Sequence, residues 1–86
     1  MIGDIMDDNT SLYSLDEFED SIVKDTLKDV YEALEERGYN PVNQLVGYLV
    51  SGDPGYISSH KEARNKMTML DRNRIIEVLL KGYLNK

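Results

Sequence analysis

The side chains that could do acid–base, metal-binding or nucleophilic chemistry are few in this sequence. His60 is the single histidine, and cysteine is absent, which removes disulfides, thiolate metal sites and thiol nucleophiles. A lone histidine has no partner ligands and no nucleophile to activate, so we interpret His60 as a surface residue of a first helical turn. The sequence contains no Walker loop, no G-x-G-x-x-G and no H-E-x-x-H. We therefore expect no enzyme activity, no cofactor and no bound metal.

The carboxylates are numerous and unevenly distributed. Residues 1–36 carry twelve acidic and two basic side chains, whereas residues 37–86 carry eight basic and four acidic ones. Glu32, Glu35 and Glu36 are interpreted as a solvated helix face rather than an acid–base pair. The formal net charge of −6 disfavours nucleic acid as a partner, because phosphate contacts supply most of that affinity. The basic half can still attract an anion or pair with the acidic half.

A basic segment at residues 60–74 is the candidate anion patch. The side chains assigned to it are Lys61, Arg64, Arg72 and Arg74. Glu62 and Asp71 dilute its charge, and the segment has no aromatic residue to stack on a base. Three interpretations stay open. The segment is a solvated helix face, a small nucleic-acid-binding module, or a patch that captures phosphate on a modified protein segment.

Hydroxyl side chains near the N-terminus are candidate phosphorylation sites. Residues 1–17, which we call the N-terminal tail, contain five acidic residues and no basic one. Their apolar residues follow no sustained period, so the tail is predicted to be flexible. Exposed hydroxyls in a flexible segment are accessible to a kinase, which makes Thr10, Ser11 and Ser14 the candidate phospho-acceptors.

Residues 18–86 form the single domain that must position these groups, and we predict an all-α bundle of about four helices. The first helix is expected at residues 19–37, with an apolar stripe of Val23, Leu27, Val30, Tyr31 and Leu34. The second is expected at residues 41–51, after the cap Asn40 and before Gly52. Within it, Gly47 is expected to permit close approach of another backbone.

Two further helices complete the predicted bundle. Ser59 and Glu62 have capping-box spacing and predict the start of the third helix, and Asp71 predicts a break and the start of the fourth. The loop at residues 51–56 is interpreted as a rigid turn, although its amides could cradle an anion. No apolar run approaches the ~18–20 residues of a membrane span, and no basic-then-apolar leader opens the chain, so we expect a cytoplasmic protein.

Two long motifs distinguish the middle of the chain. They are G-Y-N-P-V-N-Q-L-V-G-Y at residues 38–48 and S-G-D-P-G-Y-I at residues 51–57, and Ala63-Arg64-Asn65 follows. On these residues the chain resembles the IreB/YrzL family of small regulatory proteins from Gram-positive bacteria, over roughly residues 10–84. The motif residues are Gly38, Tyr39, Asn40, Pro41, Asn43, Gln44, Gly47, Tyr48, Ser51, Gly52, Asp53, Pro54, Tyr56, Arg64 and Asn65.

The resemblance implies a cytoplasmic, non-enzymatic, homodimeric helical protein that acts by protein–protein interaction. The characterised member is a substrate of a transmembrane serine/threonine kinase with extracellular PASTA domains, and a cognate phosphatase would reverse the modification. That member acts in the cell-wall stress response and in antibiotic tolerance. Its modified threonines lie near the N-terminus in a T-x-x-T-x-x-F arrangement. Thr10 and Tyr13 match the second threonine and the aromatic residue, whereas Asp7 replaces the first threonine and Leu12 the usual arginine.

We predict an isologous dimer through the second and the last helix. A core of this size rarely supplies more than ~3–5 kcal/mol unaided, and burial between two protomers adds stability. The candidate interface residues are Val42, Leu45, Val46, Leu49, Leu79 and Tyr83. A phosphate on Thr10 would add a charge of ~−1.5 to −2 to the tail. It would then either release the tail by repulsion or dock it on the basic segment.

Overall fold

The computed structural model describes the backbone of residues 2–85 and the side chains of residues 15–85. Its α-helices are α1 (Ile2–Glu36), α2 (Pro41–Ser51), α3 (Ala63–Thr68) and α4 (Arg72–Leu84). Two short 3-10 turns, Pro54–Tyr56 and His60–Glu62, connect α2 to α3. Residues 2–85 contain no strand, so the prediction of an all-α fold with four helices is confirmed.

The first helix is longer than the sequence predicts. Helical backbone runs without a break from Ile2 to Glu36, whereas the periodicity predicts a start near residue 19. The buried apolar stripe of α1 begins at Val23. Ion pairs with Arg74 of α4 hold the part of α1 that precedes it, at Asp16 and Asp20. Ion pairs thus attach α1 to α4 over a longer stretch than apolar burial alone would. The flexibility of the N-terminal tail stays a prediction.

The core lies where α1 packs against the other three helices. From α1 it takes Val23, Val30 and Leu34, as the predicted stripe requires, whereas Tyr31 of that stripe is exposed. The remaining buried side chains are Ala33, Pro41, Tyr48, Ile57, Ala63, Met67, Ile75 and Val78. Among the described residues, no buried one is charged, and the hydroxyl of Tyr48 is the polar side-chain group that the core contains. The fold is therefore held by apolar packing inside and by polar contacts at its surface.

The second helix begins and ends where the sequence predicts. The Asn40 side chain accepts a hydrogen bond from the Asn43 amide at 3.1 Å, and Pro41 occupies the first turn. Gly52 ends the helix in the left-handed conformation, with φ of 78°, and its amide donates to the Tyr48 carbonyl at 2.7 Å. Local capping chemistry explains both ends.

The third helix starts differently from the prediction. Ser59 makes no side-chain cap hydrogen bond, and Lys61 and Glu62 adopt left-handed φ values of 51° and 63°, so the capping box is wrong and α3 begins at Ala63. Within this irregular segment, Glu36 on α1 binds both His60 and Lys61. The predicted break at Asp71 is confirmed, since its side chain accepts from the Asn73 amide at 3.2 Å.

Candidate functional site

Most residues of the two long motifs have a structural role in joining α2 to the loop that follows it. The Tyr56 ring packs on α2 at Gly47. Any larger residue would clash there, because a Cβ at this position would lie 2.8 Å from the Tyr56 Cγ. The predicted close approach at Gly47 is therefore made by a ring rather than by a backbone. A Cβ on Gly52 would lie 2.9 Å from the Arg72 guanidinium, which donates to the Leu49 carbonyl at the end of α2.

The loop at residues 51–56 uses its polar groups internally. The Ser51 hydroxyl donates to the Gly47 carbonyl at 2.7 Å and accepts from the Asp53 amide at 3.0 Å. The Asp53 carboxylate accepts from the Gly55 amide at 2.8 Å. Beyond the loop, the Gln44 side chain accepts from the Ser58 amide at 2.9 Å. This geometry agrees with the rigid-turn interpretation rather than with an anion cradle.

The four cations of the candidate anion patch are not brought together. Arg64 donates to the Ile57 carbonyl at 2.8 Å, and Arg72 donates to the Leu49 carbonyl at 3.0 Å. Lys61 lies 2.9 Å from Glu36 on α1, and Arg74 binds three carboxylates on α1. Each side chain thus serves a separate intramolecular contact, and two of them pair with the acidic half of the chain.

The Arg74 cluster joins α4 to residues 16–20 of α1. Its members are Arg74, Lys81, Asp16, Glu19 and Asp20. Arg74 lies 2.9 Å from Asp16, 2.9 Å from Glu19 and 2.8 Å from Asp20, and Lys81 lies 2.7 Å from Asp20. Hydrogen bonds from Lys81 and Arg74 hold the pKa of Asp20 below its ordinary value. The same contacts raise the pKa of Arg74, through Asp16 and Asp20, and that of Lys81, through Asp20.

The Glu36 cluster, formed by Glu36, Arg37, His60 and Lys61, is the second polar contact between α1 and the rest of the chain. The Arg37 guanidinium donates to His60 Nδ1 at 3.3 Å, and His60 Nε2 lies 2.9 Å from a Glu36 carboxylate oxygen. Because a guanidinium only donates and a carboxylate only accepts, the imidazole proton lies on Nε2. His60 and Lys61 together lower the pKa of Glu36. His60 is therefore a bridge between elements.

A groove opens beside the Arg74 cluster, between α1 and the junction of α3 with α4. This α1–α4 groove has a volume of about 370 Å³. It is lined by Glu19, Ile22, Val23, Met69, Leu70, Asp71 and Arg74. Met69 is 83% exposed at its rim. The sequence analysis did not predict this groove, because it forms only where three helices meet.

The structure gives no support for catalysis or metal binding in the part of the chain that it describes. Residues 15–85 hold no group of three or more His, Asp or Glu side chains that could bind a metal ion. No buried side-chain nitrogen or oxygen in these residues lacks a hydrogen-bond partner. Within the described chain, no helix combines the length and the apolar character that crossing a bilayer requires.

The remaining predicted sites divide by location. The side chains of Thr10, Ser11 and Ser14 lie outside the described ones, although their backbone belongs to α1. Among the interface candidates, Val42, Val46, Leu79 and Tyr83 are exposed, whereas Leu45 and Leu49 pack against the core of their own chain. Val50, 81% exposed on α2, extends the apolar face of Val42 and Val46.

A small helical domain that leaves apolar residues exposed along α2 and α4 has surfaces of the kind that contact other proteins. The family model described as IreB regulatory phosphoprotein matches residues 8–85 of this chain. The match covers nearly the whole chain, including Thr10, Ser11 and Ser14. The chain belongs to the IreB family of regulatory phosphoproteins.

Proposed function

We propose that this protein is a non-enzymatic, cytoplasmic regulator that a membrane serine/threonine kinase phosphorylates on its N-terminal tail. Its kinase would be of the PASTA-domain type, a cognate phosphatase would reverse the reaction, and its pathway would be the cell-wall stress response and antibiotic tolerance. The observation that carries this proposal is the family match, which extends over the three candidate acceptors. Among them we favour Thr10, because it occupies the place of the family's second modified threonine.

The cations of the basic segment already make intramolecular contacts, and this affects which protein would bind a phosphate on the tail. Arg64 and Arg72 each hold a backbone carbonyl, and Arg74 and Lys61 hold carboxylates of α1. Docking a phosphorylated tail on these side chains would require those contacts to break. We therefore favour a phosphate that acts outward, on a partner protein, over one that docks on the same chain. The described residues show no feature that favours the nucleic-acid alternative.

The proposal also includes a homodimer. The eleven residues of α2 contain no charged side chain, although 30% of the chain is charged, and Val42, Val46 and Val50 are exposed along it. An uncharged, β-branched face on a surface helix is costly to leave in water and is suited to pairing with a second copy of itself. We accordingly place the centre of the dimer interface on this face.

The phosphorylation is tested by incubating the full chain with ATP and the kinase domain of a PASTA-type kinase, then mapping the label by mass spectrometry. We expect the label on Thr10, and Thr10→Ala should lose most of it. Thr26→Ala, in the body of α1, is the matched control and should keep it. A label confined to residues 15–86, or none at all, would contradict the proposal. A label on Ser11 or Ser14 would keep the tail as the modified segment and reject Thr10.

A further inference from the structure

We infer that the α1–α4 groove binds an amphipathic helix of a partner protein, and that this helix carries basic residues on its flanks. The inference rests on the proposed function, because it names the kind of partner that the regulator would contact. It concerns a surface on α1, α3 and α4, and the dimer face on α2 is separate from it.

The first observation is the apolar floor of the groove. Ile22, Val23 and Leu70 form it, and the exposed side chain of Met69 stands at its rim. A volume of about 370 Å³ holds several apolar side chains of a ligand. Methionine is flexible and polarisable, and it is common on surfaces that adapt to helical ligands. The shape and lining therefore fit apolar anchors.

The second observation is an apolar stripe that continues from the groove along α1. Leu15, Phe18 and Ile22 are all exposed and follow one another at i, i+3 and i+7, with Phe18 exposed by 60%. At a rise of ~1.5 Å per residue, the stripe is about 10 Å long. This is the length of two helical turns, and helices that bind in grooves use anchors with the same spacing. The stripe and the groove together match one face of an amphipathic helix.

The third observation is the charge around this apolar surface. The groove is lined by two carboxylates, Glu19 and Asp71, and by one cation, Arg74. Arg74 already binds Glu19 and also Asp16 and Asp20, so the excess charge presented to a ligand is negative. Charge complementarity then requires basic residues beside the anchors of the partner helix. An acidic or neutral helix would gain the apolar contacts without this attraction.

The position of the groove connects the partner to the modification. Thr10 precedes Leu15 by five residues, which is about 7.5 Å along a helix axis. Residues 11–14 are uncharged, but Asp7 and Asp8 precede Thr10 and Asp16 and Glu17 follow Leu15, so a phosphate adds charge of the sign that the groove already has. Phosphorylation should therefore tighten the binding of a basic helix. The partner would then bind the phosphorylated protein more tightly than the unmodified one.

The test uses the full, unmodified chain labelled with ¹⁵N and a synthetic amphipathic helical peptide with Leu and Phe anchors and Lys flanks. A second peptide has Glu at every Lys position. We expect the Lys peptide to shift the amide resonances of Ile22, Met69 and Leu70 and to bind at least tenfold more tightly than the Glu peptide. Added salt should remove most of that difference, because the flanking charges are exposed. Equal binding of both peptides, or no binding, would overturn the inference.

Two variants locate the contact. Met69→Lys removes an apolar rim residue and adds a repelling charge, so it should weaken the Lys peptide at least tenfold. Val50→Lys makes the same change on α2 at a residue of equal exposure and should leave the peptide affinity unchanged. The reverse pattern would place the peptide on α2 and overturn the inference. So would groove resonances that move on dilution without peptide, since a second copy would then occupy the groove.

Peptide binding and kinase labelling fail independently. The peptide is measured on the unmodified chain, so an unlabelled Thr10 leaves that result unchanged, and a silent groove leaves the labelling result unchanged. The coupling is measured last, with the chain phosphorylated on its tail. We expect phosphorylation to raise the affinity for the Lys peptide several-fold and to leave that for the Glu peptide equal or lower.

Discussion

Gly47 and Tyr56 are a pair of residues whose contact fixes how the loop after α2 returns to that helix. Glycine in a helix interior costs about 1 kcal/mol relative to alanine, so its presence in α2 calls for a compensating contact. The Tyr56 ring provides that contact, because it lies against the helix where a Cβ would otherwise stand. The cost of the glycine is thus offset by ring packing that alanine would prevent.

We predict that Gly47→Ala destabilises the protein by about 1–2 kcal/mol, because overpacking at the Tyr56 ring outweighs the gain in helix propensity. Gly82→Ala, in α4 with open space around the added Cβ, is the matched control and should stabilise by up to about 1 kcal/mol. Both are measured by urea denaturation. In a Tyr56→Ala background the Gly47→Ala change should become stabilising, and a persistent loss there would contradict the explanation.

Asp20 makes the acid stability of the fold testable. Its pKa is held below the ordinary value of 3.8, chiefly by Lys81 and then by Arg74. A group whose pKa is lower in the folded state stabilises the fold above its unfolded pKa and loses this effect as the pH falls through the folded value. The stabilisation by Asp20 should therefore be present at neutral pH and be lost as the pH falls below 3.8.

We predict that Asp20→Asn lowers the free energy of unfolding by a constant amount from neutral pH to about pH 5, and that the difference vanishes at lower pH. Urea denaturation at a series of pH values, followed by circular dichroism, measures this difference. Asp25→Asn is the control, because Asp25 is exposed on α1 and makes no ion pair within residues 15–85. If both variants show the same pH dependence, the Arg74 cluster has no part in it.

At the scale of the helices, the sequence predicts those boundaries that depend on neighbouring residues. Asn40, Pro41 and Gly52 define α2 by local capping, and Asp71 starts α4 in the same way. The start of α3 was not predictable, because Lys61 and Glu62 have left-handed φ values that their residue types do not signal, and the partner of His60 and Lys61, Glu36, is more than twenty positions away. The attachment of Asp16 was hidden for the same reason, since its partner Arg74 is 58 residues distant.

The same distinction applies to the candidate site. The long motifs indicated the family, but their residues form caps, turns and close contacts rather than a ligand site. The α1–α4 groove arises only when three helices meet, and no short stretch of sequence contains it. The anion patch was predicted from residue type alone, whereas the partners of each cation are set by the fold.

We predict that Arg74→Gln loosens the attachment of α1 to α4 without unfolding the core. Hydrogen exchange of the amides at residues 16–20 should accelerate several-fold, while those near Val30 and Leu34 keep their protection. Arg37→Gln is the matched control, because Arg37 contacts His60 in the other polar cluster. Exchange that accelerates equally along all of α1 would show that Arg74 supports the whole fold instead.

At the scale of the whole molecule, the folded chain is long and thin for its size. Its principal extents are 53 × 26 × 22 Å, and the long axis is about the length of the 35-residue α1. An elongated shape with few buried side chains leaves apolar residues on α2 and α4 in contact with water. Association would cover them, and stable interfaces bury about 800 Å² on each partner. The apolar face of the eleven-residue α2 is too small to bury that area by itself, so we expect α4 to contribute to the interface.

The dimer is tested by a charge placed at the centre of the α2 face. Val46→Asp puts a carboxylate opposite its own symmetry mate, where like charges and desolvation both oppose pairing. Sedimentation or light scattering at tens of micromolar should give a dimer for the unchanged chain and a monomer for this variant. Met69→Asp alters an even more exposed apolar residue outside α2 and should remain dimeric. If Met69→Asp dissociates the dimer and Val46→Asp does not, the two copies meet at the α1–α4 groove.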